Sequence, residues 1–102
     1  MNYILEYNPQ AFQDIDHILS FLSEVHYDLP RKFRNLLASK FEELDTNPER
    51  WPPLANGIRA IRMELSKRLS WYCFYQYYEE NKRILILRII SQKASPKNWP
   101  KG

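Results

Sequence analysis

The stretch SWYCFYQYYEENKRILILRIISQ, residues 70–92, places two strongly apolar runs on either side of a short polar turn. Six of the eight residues in 71–78 are aromatic. Aromatic and β-branched residues favour strands, and short apolar runs separated by a polar turn are typical of hairpins. We therefore predict one strand over residues 69–78 and another over residues 83–91.

The segment before this hairpin has the pattern of one short strand and two helices. Residues 2–7 alternate in polarity, as expected for a strand. Asn8 and Pro9 form a typical helix start, and apolar residues then follow at helical spacing for about 17 residues. A second helix restarts near Pro30 and ends near Asn47. The short break between the two predicts an antiparallel helical hairpin over about residues 9–47.

After a proline-rich loop, the period of the apolar pattern changes from 3.6 to 2 near residue 58. This change predicts a further strand over residues 58–65, so the main sheet spans about residues 58–91. A tail, residues 92–102, follows the last strand. The order β-α-α-β-β-β predicts one α+β domain over residues 1–102, with the hairpin packed on one face of a mostly antiparallel sheet.

The two faces of the predicted sheet differ in charge. Neither face of the aromatic strand is polar, so we place that strand in the middle of the sheet. In the last strand, the row that contains Arg88 shares a face with Arg62 and Tyr72, and we expect this face to be open or only partly filled. The uniformly apolar row, assigned to the helices, consists of Leu85, Leu87 and Ile89.

Length and composition restrict the class of protein. A chain of 102 residues forms one domain, because halves of about 50 residues bury too little surface to be stable. The single cysteine, Cys73, cannot form an internal disulfide, which suits a reducing compartment. No signal segment and no apolar run of about 20 residues is present, so we expect a soluble, cytoplasmic protein without a membrane partner.

Charge is distributed unevenly along the chain. Residues 1–56 hold five Lys/Arg and nine Asp/Glu, a net charge of −4, whereas residues 57–102 hold ten and three, a net charge of +7. Such asymmetry predicts that the second half faces a polyanion. The alternative, that basic residues only solvate one side of the domain, stays open.

Several kinds of catalytic site are disfavoured. His17 and His26 lie nine positions apart on one predicted helix and point to opposite sides, so they cannot act as a pair. Cys73, flanked by aromatic residues, is typical of a small packed hydrophobe. Metal-ligand spacings and glycine-rich phosphate loops are missing from the sequence, and we expect neither a metal nor another cofactor.

A cationic face with aromatic residues remains. Arginine can hold phosphate and stabilise charge that develops on phosphorus, and tyrosine or tryptophan can stack on a base. A ribonuclease without histidine could be built from such parts, and the alternative is an ordinary charged sheet face. The candidate residues are Arg59, Arg62, Lys67, Arg68, Arg88, Lys93 and Lys97, together with Tyr72 and Trp99.

Three segments, LANGIRAIRM at 54–63, YCFYQY at 72–77 and ILILRIISQKASPKNW at 84–99, carry a family resemblance. Because of the order and spacing of these segments, the chain resembles the RelE/ParE superfamily of bacterial type II toxins, also called plasmid stabilisation proteins. The resemblance extends nearly from end to end of the chain. The resemblance implies a hairpin on a curved sheet. It also implies a cognate antitoxin, encoded alongside, that covers the toxin with a helix or strand. Phe21, off the main helical stripe, is a candidate contact.

RelE-like members of this superfamily cleave mRNA in the ribosomal A site with basic residues and a tyrosine. Here Tyr72 stands where these members have an arginine, and losing such a cation would raise the barrier by about 3 kcal/mol or more. From the cationic face, Lys67, Arg68 and Lys97 are the candidate nucleic-acid contacts. The catalytic candidates are Arg59, Arg62, Tyr72, Arg88, Lys93 and Trp99.

ParE-like members lack the nuclease residues and poison DNA gyrase. We favour a ParE-like toxin that inhibits gyrase without being an enzyme. The alternative is a ribosome-dependent mRNA interferase, which is an endoribonuclease. A third possibility is a nucleic-acid-binding module, although most aromatic residues alternate into the predicted core.

Overall fold

The computed structural model describes residues 3–100, so Asn2 in the predicted first strand and Lys101 in the predicted tail lie outside the described residues. The order of the elements agrees with the predicted order, and the α+β class is confirmed. The elements are β1 (Ile4–Tyr7), α1 (Pro9–Val25), α2 (Leu29–Thr46), β2 (Arg59–Ser66), β3 (Leu69–Tyr78), β4 (Arg83–Ser91) and a 3-10 helix (Pro96–Asn98).

The four strands form one mixed sheet in the order β1-β4-β3-β2. The β1 strand runs parallel to β4, and the other two pairings are antiparallel. The aromatic strand β3 is therefore internal, as its two apolar faces predict. Among the helices in residues 3–100, none is both long and apolar enough to cross a membrane.

Local signals in the sequence start both helices. The Asn8 side chain accepts a hydrogen bond from the backbone N–H of Gln10 at 2.9 Å, and Pro9 occupies the first turn of α1. Helix α2 also has proline in its first turn. It ends at Thr46, and Asn47, its C-cap, precedes Pro48, where the backbone disfavours a further helical turn.

The main core lies between the helical hairpin and one face of the sheet. Phe33 of α2 packs edge-to-face on Trp71 of β3, with ring centroids 5.0 Å apart. Tyr75, fully buried, donates its hydroxyl hydrogen to the carbonyl oxygen of Pro48 at 2.7 Å. This bond satisfies both groups inside the core and holds the end of the hairpin against the sheet.

The predicted orientation of β4 is wrong in part. Ile84 and Ile86 pack into the main core together with Ile89. Leu87 instead packs on the opposite face of the sheet. Of the three residues assigned to the helices, only Ile89 therefore belongs to the main core. The residues that face the helices are even-numbered before Leu87 (Ile84 and Ile86) and odd-numbered after it (Ile89).

A β-bulge causes this change. Tyr75 of β3 is opposite Ile86, whereas the preceding Phe74 is opposite Arg88. Leu87 is therefore an extra residue in β4, and an extra residue interrupts strict alternation between faces. No isolated strand pattern reveals such an insertion, because it is defined by the pairing with β3.

Candidate functional site

The sheet face opposite the helices, here called the open face, carries a second and smaller apolar cluster. Its buried members are Ile58, Phe74 and Ile90. Trp99 covers them from the C-terminal tail, with its ring 5.3 Å from that of Phe74 and 5.7 Å from that of Tyr72. The open face is thus partly filled, and the tail fills it.

The tail reaches this position through a short capped turn. Ser95 accepts a hydrogen bond from the backbone N–H of Lys97, and the backbone N–H of Trp99 donates to Pro96. The indole Nε1 of Trp99 is buried and has no hydrogen-bond partner within residues 3–100. Packing of the ring, and not a polar contact of the indole, therefore holds the tail on the sheet.

Arg62 lies on the open face directly beside Tyr72, its cross-strand partner. Its Nε donates to Oε1 of Gln92 at 2.9 Å, and Nη2 donates to Glu64 at 3.0 Å. The same Gln92 oxygen accepts the Ser70 hydroxyl at 2.6 Å. These hydrogen bonds fix the orientation of the Arg62 guanidinium. The side chain is 47% exposed, so it remains accessible to a ligand.

Arg59 lies on the helix side, near the loop before β2. Its guanidinium donates to the carbonyl oxygens of Glu49 and Trp51. It also lies over the Tyr77 ring, 5.2 Å from the centroid. Arg59 therefore ties the proline-rich loop to the sheet, and a catalytic role for it remains a prediction.

Arg88 is bound to α1 through a two-point contact with Asp14. The distances from Nε and Nη2 to the carboxylate oxygens are 2.7 and 3.0 Å. The carboxylate also accepts the backbone N–H of Ile89 at 2.9 Å, beyond the point where β1 stops pairing with β4. The hydrogen bond to Asp14 raises the pKa of Arg88. This contact joins α1 to the unpaired edge of β4, and a catalytic role for Arg88 remains a prediction.

The remaining candidate cations lie in the turn after β2 and in the segment after β4. Trp71 is opposite Ser91, so the start of β3 lies beside the end of β4. Within residues 3–100 these cations form no ion pair with a carboxylate. They are Lys67, Arg68, Lys93 and Lys97.

The structure therefore separates the predicted site into parts with different environments. Arg62, Tyr72 and Trp99 share the open face, whereas Arg59 and Arg88 are engaged in contacts with the loop and with α1. Sequence reasoning missed Asp14 and Gln92. Their contacts span 74 and 30 residues, and no local pattern marks them.

The described residues offer little for acid–base or metal chemistry. Burial raises the pKa of the Cys73 thiol to about 12, so the thiol is neutral at physiological pH and is not an activated nucleophile. His26 accepts the backbone N–H of Asp28 at 3.1 Å at the end of α1. Residues 3–100 contain no group of three or more side chains placed to hold a metal ion.

Solved structures with the same arrangement define the class of fold. A chain of the chromosomal ParDE toxin–antitoxin system from P. aeruginosa superposes with a TM-score of 0.68 and 18% identity, over 88% of this chain and 96% of that chain. A chain of the E. coli RelBE complex gives a TM-score of 0.61 and 14% identity, over 90% and 99%. The fold is thus that of the small α+β toxins of the RelE/ParE superfamily.

An archaeal RelE–RelB complex from Pyrococcus horikoshii is also similar, with a TM-score of 0.53 and 18% identity over 93% of this chain and 100% of that chain. The family model for the ParE toxin of the type II toxin–antitoxin system parDE matches residues 5–96. The chain belongs to this ParE toxin family. No curated protein matches the sequence at a significant level.

Proposed function

We propose that this protein is the growth-inhibiting toxin of a bacterial type II toxin–antitoxin (plasmid stabilisation) module, acting in the cytoplasm on DNA gyrase. A cognate antitoxin holds it inactive. Membership of the ParE toxin family supports the toxin assignment. Similarity to chains from toxin–antitoxin complexes supports the antitoxin partner.

The engagement of the candidate nuclease arginines favours gyrase over mRNA as the target. Arg59 is bound to loop carbonyls, and Arg88 is bound to Asp14. The resemblance, with residues 71–77 aligned to the aromatic strand of RelE-like enzymes, implies that Tyr72 replaces their arginine. Cleavage of RNA requires preorganised positive charge around the phosphate, and Arg62, the candidate arginine that lies half-exposed on the open face, is itself paired with Glu64. A toxin that binds its target without chemistry needs no such set.

A second candidate function is a ribosome-dependent mRNA interferase. The half-exposed Arg62 beside Tyr72 favours it, because a phosphate could bind the guanidinium while a base contacts the ring. The unpaired cations could then hold the RNA backbone; these are Lys67, Arg68, Lys93 and Lys97. A simple nucleic-acid-binding module is less well supported, since the rings of Phe74 and Trp99 pack on each other.

Pulse labelling after brief induction in bacteria tests the target. We expect thymidine incorporation to fall before amino-acid incorporation, and purified protein to inhibit supercoiling by gyrase. If protein synthesis falls first and Arg62→Ala relieves it, the interferase is correct. Arg34→Ala, which changes an exposed cation on the hairpin, is the matched control. If neither synthesis falls and growth continues, the protein is not a toxin.

A further inference from the structure

A groove of about 330 Å³ lies between α1 and the neighbouring ends of β3 and β4. We call it the α1–β3 groove. Ile18 and Trp71 provide an apolar floor and are 9% and 5% exposed. Phe21 lines the groove as well but is 52% exposed, away from the core stripe of its helix. The groove therefore combines a packed apolar floor with an accessible aromatic ring.

Two cations line the same groove, Arg68 from the turn before β3 and Lys93 from the segment after β4. No acidic side chain lines it. Neither Arg68 nor Lys93 has a carboxylate partner within residues 3–100. Two unpaired cations next to an apolar floor are complementary to a ligand that carries carboxylates next to an apolar group.

We propose that the α1–β3 groove binds a segment of the antitoxin that presents a bulky apolar side chain with acidic residues one or two positions away. The partner's identity rests on the proposed function. The apolar side chain would cover the Ile18–Trp71 floor and contact Phe21, and the carboxylates would pair with Arg68 and Lys93. Burial of the apolar group supplies affinity, and the charges orient the segment.

A peptide fits this groove better than RNA does. Of the phenylalanine and tryptophan rings in the lining, that of Phe21 is 52% exposed and that of Trp71 is recessed in the core, and the exposed imidazole of His17 is the remaining ring. Successive bases would require several accessible ring faces. A single apolar side chain requires only a recessed floor, which Ile18 and Trp71 provide.

Binding of the product of the adjacent open reading frame to the purified protein is the first test. Phe21→Ala, Arg68→Glu and Lys93→Glu should each weaken the affinity about tenfold or more. The control Phe12→Ala removes an equally exposed phenylalanine from the same helix, 53% against 52% exposed. Arg34→Glu is the control for charge reversal. Both controls should remain within about twofold of wild type, and thermal melts should confirm that all variants are folded.

The outcomes of this test separate the two proposals. If the wild-type protein forms no complex and its growth inhibition is not relieved by co-expression, the proposed antitoxin partnership fails. If the complex forms but the groove variants bind as tightly as the controls, the groove assignment fails while the partnership stands. Higher salt should weaken the wild-type complex more than the Arg68→Glu complex, because one charge pair is already lost.

A second test does not need the antitoxin. A random peptide library displayed on phage is selected on the wild-type protein and counter-selected on the folded double variant Arg68→Glu/Lys93→Glu. We expect enrichment of sequences that combine Leu, Phe or Trp with nearby Asp or Glu. No enrichment, or enrichment without acidic residues, would overturn the proposal. Tight binding of a single-stranded RNA oligonucleotide that depends on Phe21, Arg68 and Lys93 would assign the groove to RNA instead.

Discussion

Tyr75 connects the internal strand to the end of the helical hairpin by one buried hydrogen bond. Its ring is fully buried, and its hydroxyl is 2.7 Å from the carbonyl oxygen of Pro48. Burial disfavours the phenolate and raises the pKa of this tyrosine. The hydroxyl therefore acts as a neutral donor to a carbonyl group in a loop that passes over the core.

Tyr75→Phe should lower the free energy of unfolding by about 1–2 kcal/mol, because the Pro48 carbonyl loses its donor inside the protein. Urea unfolding of both proteins measures the difference. The control is Tyr78→Phe, since Tyr78 is 46% exposed and its hydroxyl contacts Gln76 at the surface. That change should stay within about 0.5 kcal/mol. Equal effects of the two substitutions would show that the bond to Pro48 does not contribute.

At the scale of the elements, the Asp14–Arg88 contact joins α1 to the edge of β4. The Asp14 side chain is 13% exposed and that of Arg88 is 33% exposed, so water screens this pair only partly. A double-mutant cycle with Asp14→Ala and Arg88→Ala should give a coupling energy of about 1–2 kcal/mol in urea unfolding.

The Arg62–Glu64 pair is the matched comparison for this cycle. Its side chains are 47% and 48% exposed, and an exposed pair contributes little. Its coupling energy should be below about 0.5 kcal/mol. If the two pairs couple equally, burial does not strengthen the Asp14–Arg88 contact. The attachment of α1 to β4 then depends on apolar packing and on the hydrogen bond from the Ile89 N–H to Asp14.

The C-terminal tail is held on the open face by the ring of Trp99. Trp99→Ala should release the tail, and trypsin should then cleave after Lys93 and Lys97 several-fold faster, since local release exposes the backbone. Mass spectrometry of timed digests measures the two rates. Trp99→Phe keeps a ring and removes the buried Nε1 that lacks a partner, so its digestion rate should remain near that of wild type. Unchanged digestion of Trp99→Ala would mean that other contacts hold the tail.

At the scale of the whole molecule, folding raises the pKa of one cysteine and of several tyrosine side chains. A hydrogen bond to Glu79 is the main cause that raises the pKa of Tyr3 to about 12. Burial raises the pKa of Cys73 to about 12 and also raises that of Tyr75. In the unfolded chain these groups ionise near their ordinary values of 9.0 for cysteine and 10.0 for tyrosine.

The folded state therefore binds more protons than the unfolded state above about pH 9, and stability should fall as the pH rises from about 9 towards 12. Below about pH 9 both states hold these protons, so this contribution is complete there. Urea unfolding at about pH 8 and about pH 10.5 measures the slope. Cys73→Ala and Tyr3→Phe should each flatten it. A stability that does not change over this range would contradict the proposed proton linkage.

Much of the fold could be predicted because its signals are local. Asn8 and Pro9 cap the first helix within a few residues of chain. The aromatic run in β3 has no polar face, and the strand lies inside the sheet. The family resemblance depends on segments that are each contiguous in sequence. Such features need no knowledge of the partner across the sheet.

The candidate site could be predicted only as a set of residue types. The sequence predicted that Arg62 and Tyr72 share a face, and β2 and β3 pair them directly. It did not reveal that Arg59 and Arg88 would be engaged, because their partners are loop carbonyls and a carboxylate on a distant helix. The unpaired state of Arg68 and Lys93 is likewise a property of the folded surface.

The sequence by itself determined the elements and their order, because helix caps, strand alternation and apolar stripes act over a few residues. The resemblance of three contiguous segments to a known family implied the class of toxin fold. Tertiary structure alone decided the bulge at Leu87, the bonding of Arg88 to Asp14 and the apolar groove beside Arg68 and Lys93. These features arise where segments far apart in sequence meet. Their geometry depends on the pairing of strands and the docking of α1, which no periodic pattern in one segment encodes.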